Sequence, residues 1–135
     1  MQLENQVCSL ELSQKLKSLG VKQESLFHWS DWLREGNYGL SYGSDPSRIR
    51  TTKEDGTFIE RTPNLISAFT VAELGEMLPP FPNGDIIDQL PHKTIGGKWR
   101  IDLDDEGMLC CEKTEADARA KMLIYLIENK LINVI

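Results

Sequence analysis

Trp99-Arg100-Ile101-Asp102-Leu103, Asp104-Asp105-Glu106-Gly107 and Met108-Leu109-Cys110-Cys111-Glu112, followed by Thr114 and the run Glu115-Ala116-Asp117-Ala118-Arg119-Ala120-Lys121-Met122-Leu123-Ile124-Tyr125-Leu126-Ile127-Glu128, decide the fold. Trp99, Ile101 and Leu103 alternate with Arg100 and Asp102, the two-residue period of a strand with one face buried. The acidic, Gly-containing tetrapeptide turns the chain, and residues 108–112 read as the returning strand. Thr114 is a helix cap, with Glu115 and Asp117 in the first turn where the helix dipole favours anions. Ala116, Ala120, Leu123 and Ile127 then fall on one stripe, widened by Leu126, while Asp117, Lys121 and Glu128 take the other side. A hairpin followed by an amphipathic helix of about four turns predicts an α+β class.

Working backwards, Thr70 with Glu73 three residues on makes a capping box, and Phe69 with Leu74 makes the matching hydrophobic staple. Val71, Leu74 and Leu78 line one face, and Pro79-Pro80 ends this second helix. A first helix starts at Ser9, carries Leu12, Leu16 and Leu19 on one stripe, and closes at Gly20. Between these two helices, Ser25-Leu26-Phe27-His28-Trp29 and Tyr38-Gly39-Leu40-Ser41-Tyr42 read as hairpin strands with turn residues Glu35-Gly36-Asn37. The segment holding Trp32 and Leu33 is expected to fold back over the sheet. Residues 43–64 read either as short strands from Ile49, Phe58 and Ile59 around a turn at Glu54-Asp55-Gly56-Thr57, or as a long ordered loop. Residues 79–98 read as a loop pinned by Ile86, Ile87 and Leu90. The expected architecture is one compact domain over 1–135. In it, a small antiparallel sheet of two or more hairpins packs against one main C-terminal helix and two shorter helices.

Composition narrows the function classes. The 135 residues are 40% hydrophobic and 27% charged, ordinary for a globular chain. Net charge is −6, and residues 66–135 carry seven Lys/Arg against twelve Asp/Glu. That balance disfavours a nonspecific nucleic-acid clamp, since phosphate binding rests on cationic surface. Lys15, Lys17 and Lys22 leave a small local basic patch open, and with it a weak nucleic-acid-binding reading. Three cysteines, two of them adjacent, make a poor disulfide framework, and Met1–Gln6 lacks the basic start and apolar run of a secretion signal. A cytoplasmic, non-membrane protein is expected.

No motif specifies chemistry. Asp102, Asp104, Glu106 and Gly107 match the start of a calcium loop, but its twelfth position is Lys113, which repels the ion where a bidentate Glu is required. Cys8, His28, His92, Cys110 and Cys111 lack the paired spacing of a zinc site, so no metal and no cofactor is expected. Gly96-Gly97-Lys98 lacks the preceding spacing of a phosphate loop and is followed by Trp99. His28 alternates with Ser30 on the face opposite Phe27 and Trp29, and reads as a surface or groove histidine. Trp29, Trp32, Tyr38 and Tyr42 are the aromatic concentration that could form an interaction surface, although aromatics in a small domain also build its core.

Cys8-Ser9-Leu10-Glu11 through Gly20-Val21-Lys22-Gln23-Glu24-Ser25-Leu26-Phe27, Ile66 through Leu78, and Glu115 through Met122 resemble small uncharacterised proteins encoded by phages and prophages. The resemblance covers somewhat under half the chain; it implies a mobile-element origin and assigns no activity. The leading expectation is therefore a noncatalytic accessory or protein-interaction protein. The aromatic hairpin and the apolar tail Leu131-Ile132-Asn133-Val134-Ile135 suit a homo-oligomer or a protein partner. The alternative is a small enzyme or ligand-binding protein using the 79–98 loop, with Phe81, Asp85, Asp88 and His92.

Overall fold

The structure is a computed structural model that describes residues 2–42, 49–78, 92–94, 96–102, 109–130 and 132. After a 3-10 turn at Leu3–Asn5, the chain forms α1 (Leu10–Ser18), β1 (Phe27–Arg34), β2 (Asn37–Tyr42), β3 (Ile49–Thr52), β4 (Phe58–Arg61) and β5 (Leu65–Ser67). It continues through α2 (Val71–Met77), β6 (His92–Lys93), β7 (Trp99–Asp102), β8 (Leu109–Glu112) and α3 (Glu115–Glu128). The α+β class with antiparallel strands and three helices, one of them C-terminal, is as the sequence predicts. Among the described residues the strands divide into three antiparallel sheets, ordered β2-β1-β5, β3-β4 and β6-β7-β8.

The helix ends follow their local chemistry. The Ser9 hydroxyl accepts from Leu12 N–H, and Gly20 takes φ +90° just past α1. Thr70 and Glu73 bond each other's backbone N–H groups in a complete capping box. The staple residues Phe69 and Leu74 are both fully buried, which holds a helix too short to persist alone. Thr114 accepts from Asp117 N–H at the start of α3.

α3 buries more of its circumference than one stripe. Ala116, Ala120, Leu123 and Ile124 pack with Leu16 of α1 and Leu74 of α2, beside Cys8, Val21 and Phe69. Ala118, Met122 and Leu126 form a second cluster that includes Trp99 of β7. The helix therefore lies between the other two helices and the β7–β8 hairpin, and Ala118 and Met122 are core because a second layer covers them. Ile132 is half-buried against both clusters. The rest of the expected apolar tail, Leu131 and Asn133–Ile135, lies outside the described residues.

Among the strands two expectations change, one left open is settled, and one strand is added. β1 runs on through Arg34 to a two-residue turn at Glu35-Gly36, so the backbone at Trp32 and Leu33 is strand and does not fold back over the sheet. Gly36 sits at φ +81°, a conformation that suits glycine. β3 and β4 form a hairpin, which settles residues 49–61 in favour of strands. Leu65–Ser67, which carries no strand signal of its own, pairs with β1 on the side away from β2. Within the expected 79–98 loop, His92 and Lys93 form a short strand opposite Arg100 and Trp99. Residues 43–48 and 79–91 lie outside the described residues, and with them Phe81, Asp85, Asp88, Ile86, Ile87 and Leu90.

Candidate functional site

An open cleft of about 790 Å³ forms where five stretches of chain meet. Leu3, Phe27, Val71 and Trp99 supply apolar walls, and Thr70, Lys113, Thr114 and Glu115 lie on its polar side. These positions follow from the fold: the 3-10 turn leads into Val7, which bridges Thr70. Cys8 N–H donates to the Phe69 carbonyl at 2.9 Å. Ser9 N–H donates to Asp117 Oδ1 at 2.7 Å, tying the chain start to the first turn of α3. The starts of α2 and α3 thus face one opening. Its volume lies in the range of small-ligand sites, roughly 300–1,000 Å³.

Three of the polar groups around the opening are already engaged, while Lys113 at its rim is exposed. Both threonine hydroxyls serve as helix caps. Glu115 accepts from Arg119 Nε and Nη2 at 3.3 and 3.0 Å. That guanidinium lies against α2 at Gly75, where a Cβ would stand 2.5 Å from Nη1. Behind the wall, burial raises the pKa of Asp117 and the Glu112 charge adds to the shift, against the bond from Ser9 N–H. Burial pushes the Cys8 thiol up to about 11, helped by Asp117 and opposed by its 2.8 Å contact with Ser13 Oγ. Cys8 is thus a protonated core thiol, without the thiolate that nucleophilic chemistry uses.

The aromatics singled out from the sequence have separate fates. Trp29 is half-buried, and its indole N–H donates to the Cys8 carbonyl at 3.0 Å, which makes it an anchor between β1 and the N-terminal segment. Tyr42 is 76% exposed and meets Phe27 edge-on at 5.4 Å between ring centroids. Tyr38 is half-buried on the same strand. Trp32 lies in β1 by its backbone. His92 belongs to β6 by its backbone, and Asp104, Glu106 and Gly107 lie outside the described residues. Among the described residues no group of three or more His, Cys, Asp or Glu stands close enough to hold a metal ion. The N-terminal lysines do not form one bare patch: Lys15 pairs with Glu128 and Lys22 with Glu24, while Lys17 donates to the Leu65 carbonyl.

His28 corrects its sequence reading. It is 5% exposed, because the face of β1 carrying His28 and Ser30 is covered as well as the face carrying Trp29. Ser67 stands directly opposite His28 across the β1–β5 pair and is also buried. Among the described residues neither His28 Nδ1 nor Ser67 Oγ has a hydrogen-bond partner. Removing a hydroxyl that makes no bond removes only its desolvation cost. Ser67→Ala is therefore expected to leave stability unchanged or raise it by about 1 kcal/mol in urea unfolding. A loss above about 1 kcal/mol would show that the hydroxyl is bonded, to a buried water for example.

A second buried polar group, Asp31, escaped sequence reading. Its fully buried carboxylate accepts from Asn64 N–H at 2.7 Å, Asn64 Nδ2 at 2.9 Å, Gly36 N–H at 3.1 Å and Arg61 Nη1 at 3.3 Å. Burial alone would raise its pKa, but these bonds from Asn64, Gly36 and Arg61 outweigh burial and bring it down to about 2. This clasp joins the irregular part of β1, the β1–β2 turn and the β4–β5 connection. Every carboxylate bond goes to a structural neighbour, which makes it a fastening. Among the described residues no helix is long and apolar enough to cross a membrane. No family model, no curated protein and no solved structure matches the chain.

Proposed function

We propose that this is a noncatalytic accessory protein that receives an apolar side chain or short segment of a partner protein in the cleft, and that it works in the cytoplasm as a homo-oligomer. One observation carries the reading. The cleft has aromatic and aliphatic walls, while its threonines and Glu115 are committed to caps and to Arg119. General acid–base chemistry needs titratable groups converging on a reacting atom, and the described walls supply apolar surface instead. Binding suits such walls, because apolar area removed from water contributes about 25 cal/mol per Å². A buried free thiol at Cys8 is at home in a reducing compartment. The likeness of the three helical segments to small phage- and prophage-encoded proteins fits an accessory role and a mobile-element origin.

Selection of random peptides against the immobilised protein tests this. Enriched sequences are expected to share one aromatic or branched apolar anchor. Leu3→Asp is expected to weaken them about tenfold, since it places a charge at the cleft lip without touching either core cluster. Enriched peptides that bind the variant equally well, or no enrichment at all, would overturn the proposal.

A further inference from the structure

We propose that two copies of this chain pair antiparallel through the outer edge of β2, with Leu40 on the two-fold axis. This deepens the homo-oligomer part of the reading above and is independent of what enters the cleft.

The backbone geometry identifies the free edge. Ala68 N–H donates to the Phe27 carbonyl, and Asp31 N–H to the Asn64 carbonyl, so the odd residues of β1 face β5. Successive residues of a strand direct their N–H and C=O groups to opposite sides. His28 and Ser30 therefore face β2, where their register partners are Ser41 and Gly39. By the same alternation, Tyr38, Leu40 and Tyr42 turn their N–H and C=O groups outward, and β2 is the end strand of its sheet among the described residues.

The two edges of this sheet are treated differently. On β5 the outward Ser67 N–H donates to Gln23 Oε1, and the Leu65 carbonyl accepts from Lys17 Nζ. Side chains thus cover that edge. Among the described residues nothing covers β2 in this way, and Asn37-Tyr38-Gly39-Leu40-Ser41-Tyr42 contains neither a charged residue nor a proline, the usual guards of an exposed edge. The sequence also chooses its occupant. In an isologous contact residue i of one copy meets residue j of the other and j meets i, and Tyr38-x-Leu40-x-Tyr42 then places ring beside ring and Leu beside Leu, with no charge facing its own image. Centred on Leu40, the pairing sets Leu40 against Leu40 and each Tyr38 against the other copy's Tyr42. All three outward residues of each strand are then used, and the two three-stranded sheets become one of six strands. The contact is small beside the roughly 1,200–2,000 Å² of a standard interface, so the dimer is a weak one.

Sedimentation velocity on the full chain, from about 5 to about 300 µM, tests the pairing. The weight-average mass is expected to rise from the 15.3 kDa monomer towards twice that value. Tyr38→Lys with Tyr42→Lys places Lys opposite Lys at both outer positions and is expected to raise the dissociation constant at least about tenfold. Tyr38→Lys with Tyr42→Glu removes the same two rings but places Lys opposite Glu, and is expected to restore association to within about threefold. Tyr42 is exposed and Tyr38 half-buried, so both variants keep the core intact. A monomer at every concentration, or a dimer that both double variants leave equally strong or equally weak, would overturn the proposal. Retention of cleft-binding peptides by a strictly monomeric protein would overturn the pairing alone.

Discussion

Asp31→Ala is expected to lower stability by about 3 kcal/mol, and the melting temperature by roughly 10 °C. The alanine leaves the Arg61 guanidinium without its carboxylate and strands two backbone donors, Gly36 N–H and Asn64 N–H. Stranded donors in a covered site carry their full desolvation cost, which exceeds the net value of the bonds themselves. Asp31→Asn should fare little better, because an amide cannot accept from Asn64 Nδ2 and Gly36 N–H on the oxygen it has replaced by nitrogen. The charge gives this position a pH signature. Its folded pKa of about 2 lies below the ordinary 3.8, so the unfolded chain binds the proton first as pH falls. The stabilisation is complete above the unfolded value and drains away between about pH 4 and pH 2, amounting to about 1–2 kcal/mol. Urea unfolding of wild type and Asp31→Asn across that window should show the gap between them narrowing towards acid. A constant gap would refute the depressed pKa.

Phe69→Ala is expected to cost about 3–5 kcal/mol, which for a domain stable by roughly 5–15 kcal/mol leaves a marginal fold. Among the described residues Phe69 is the largest fully buried side chain. It packs in the cluster that joins α1, α2 and α3, immediately before the α2 cap. Truncation opens a cavity at this junction and releases the staple that holds the start of α2. Phe69→Leu keeps most of the volume and should cost under about 1.5 kcal/mol. Equal denaturation midpoints for the two variants would show that the ring contributes little to the core.

What could be read in advance was local. The caps at Ser9, Thr70 and Thr114, the staple and the α1 stripe each depend on residues within about one or two helical turns, and all three helices stand where those signals put them. What could not be read depended on distant partners. Leu65–Ser67 becomes a strand because β1 offers it an open side, and Asp31 becomes a fastening because residues 30 and 33 positions away reach it. His28 and Trp29 show the same limit from another side. Alternation says that they face opposite ways, but not that both faces are covered. The cleft was visible only in fragments: Thr70 and Thr114 as caps, Trp99 as a strand residue, Phe27 as half of a hairpin. Their convergence is set by α3, whose second apolar face stood in the sequence as the inconspicuous pair Ala118 and Met122.

The bond from Ser9 N–H to Asp117 Oδ1 closes a loop of 108 residues, and Cys8 and Leu16 share a cluster with Leu123. A ribosome delivers the chain from its beginning, so α1 leaves the exit tunnel long before the surfaces that will bury it exist. Until α3 follows, the leucines of α1 are exposed to whatever else the cell offers, and the interior is completed only once α3 has been made. Loss of the last two turns of α3 should therefore destabilise the whole molecule, the first helix included, where loss of a peripheral hairpin would spare it.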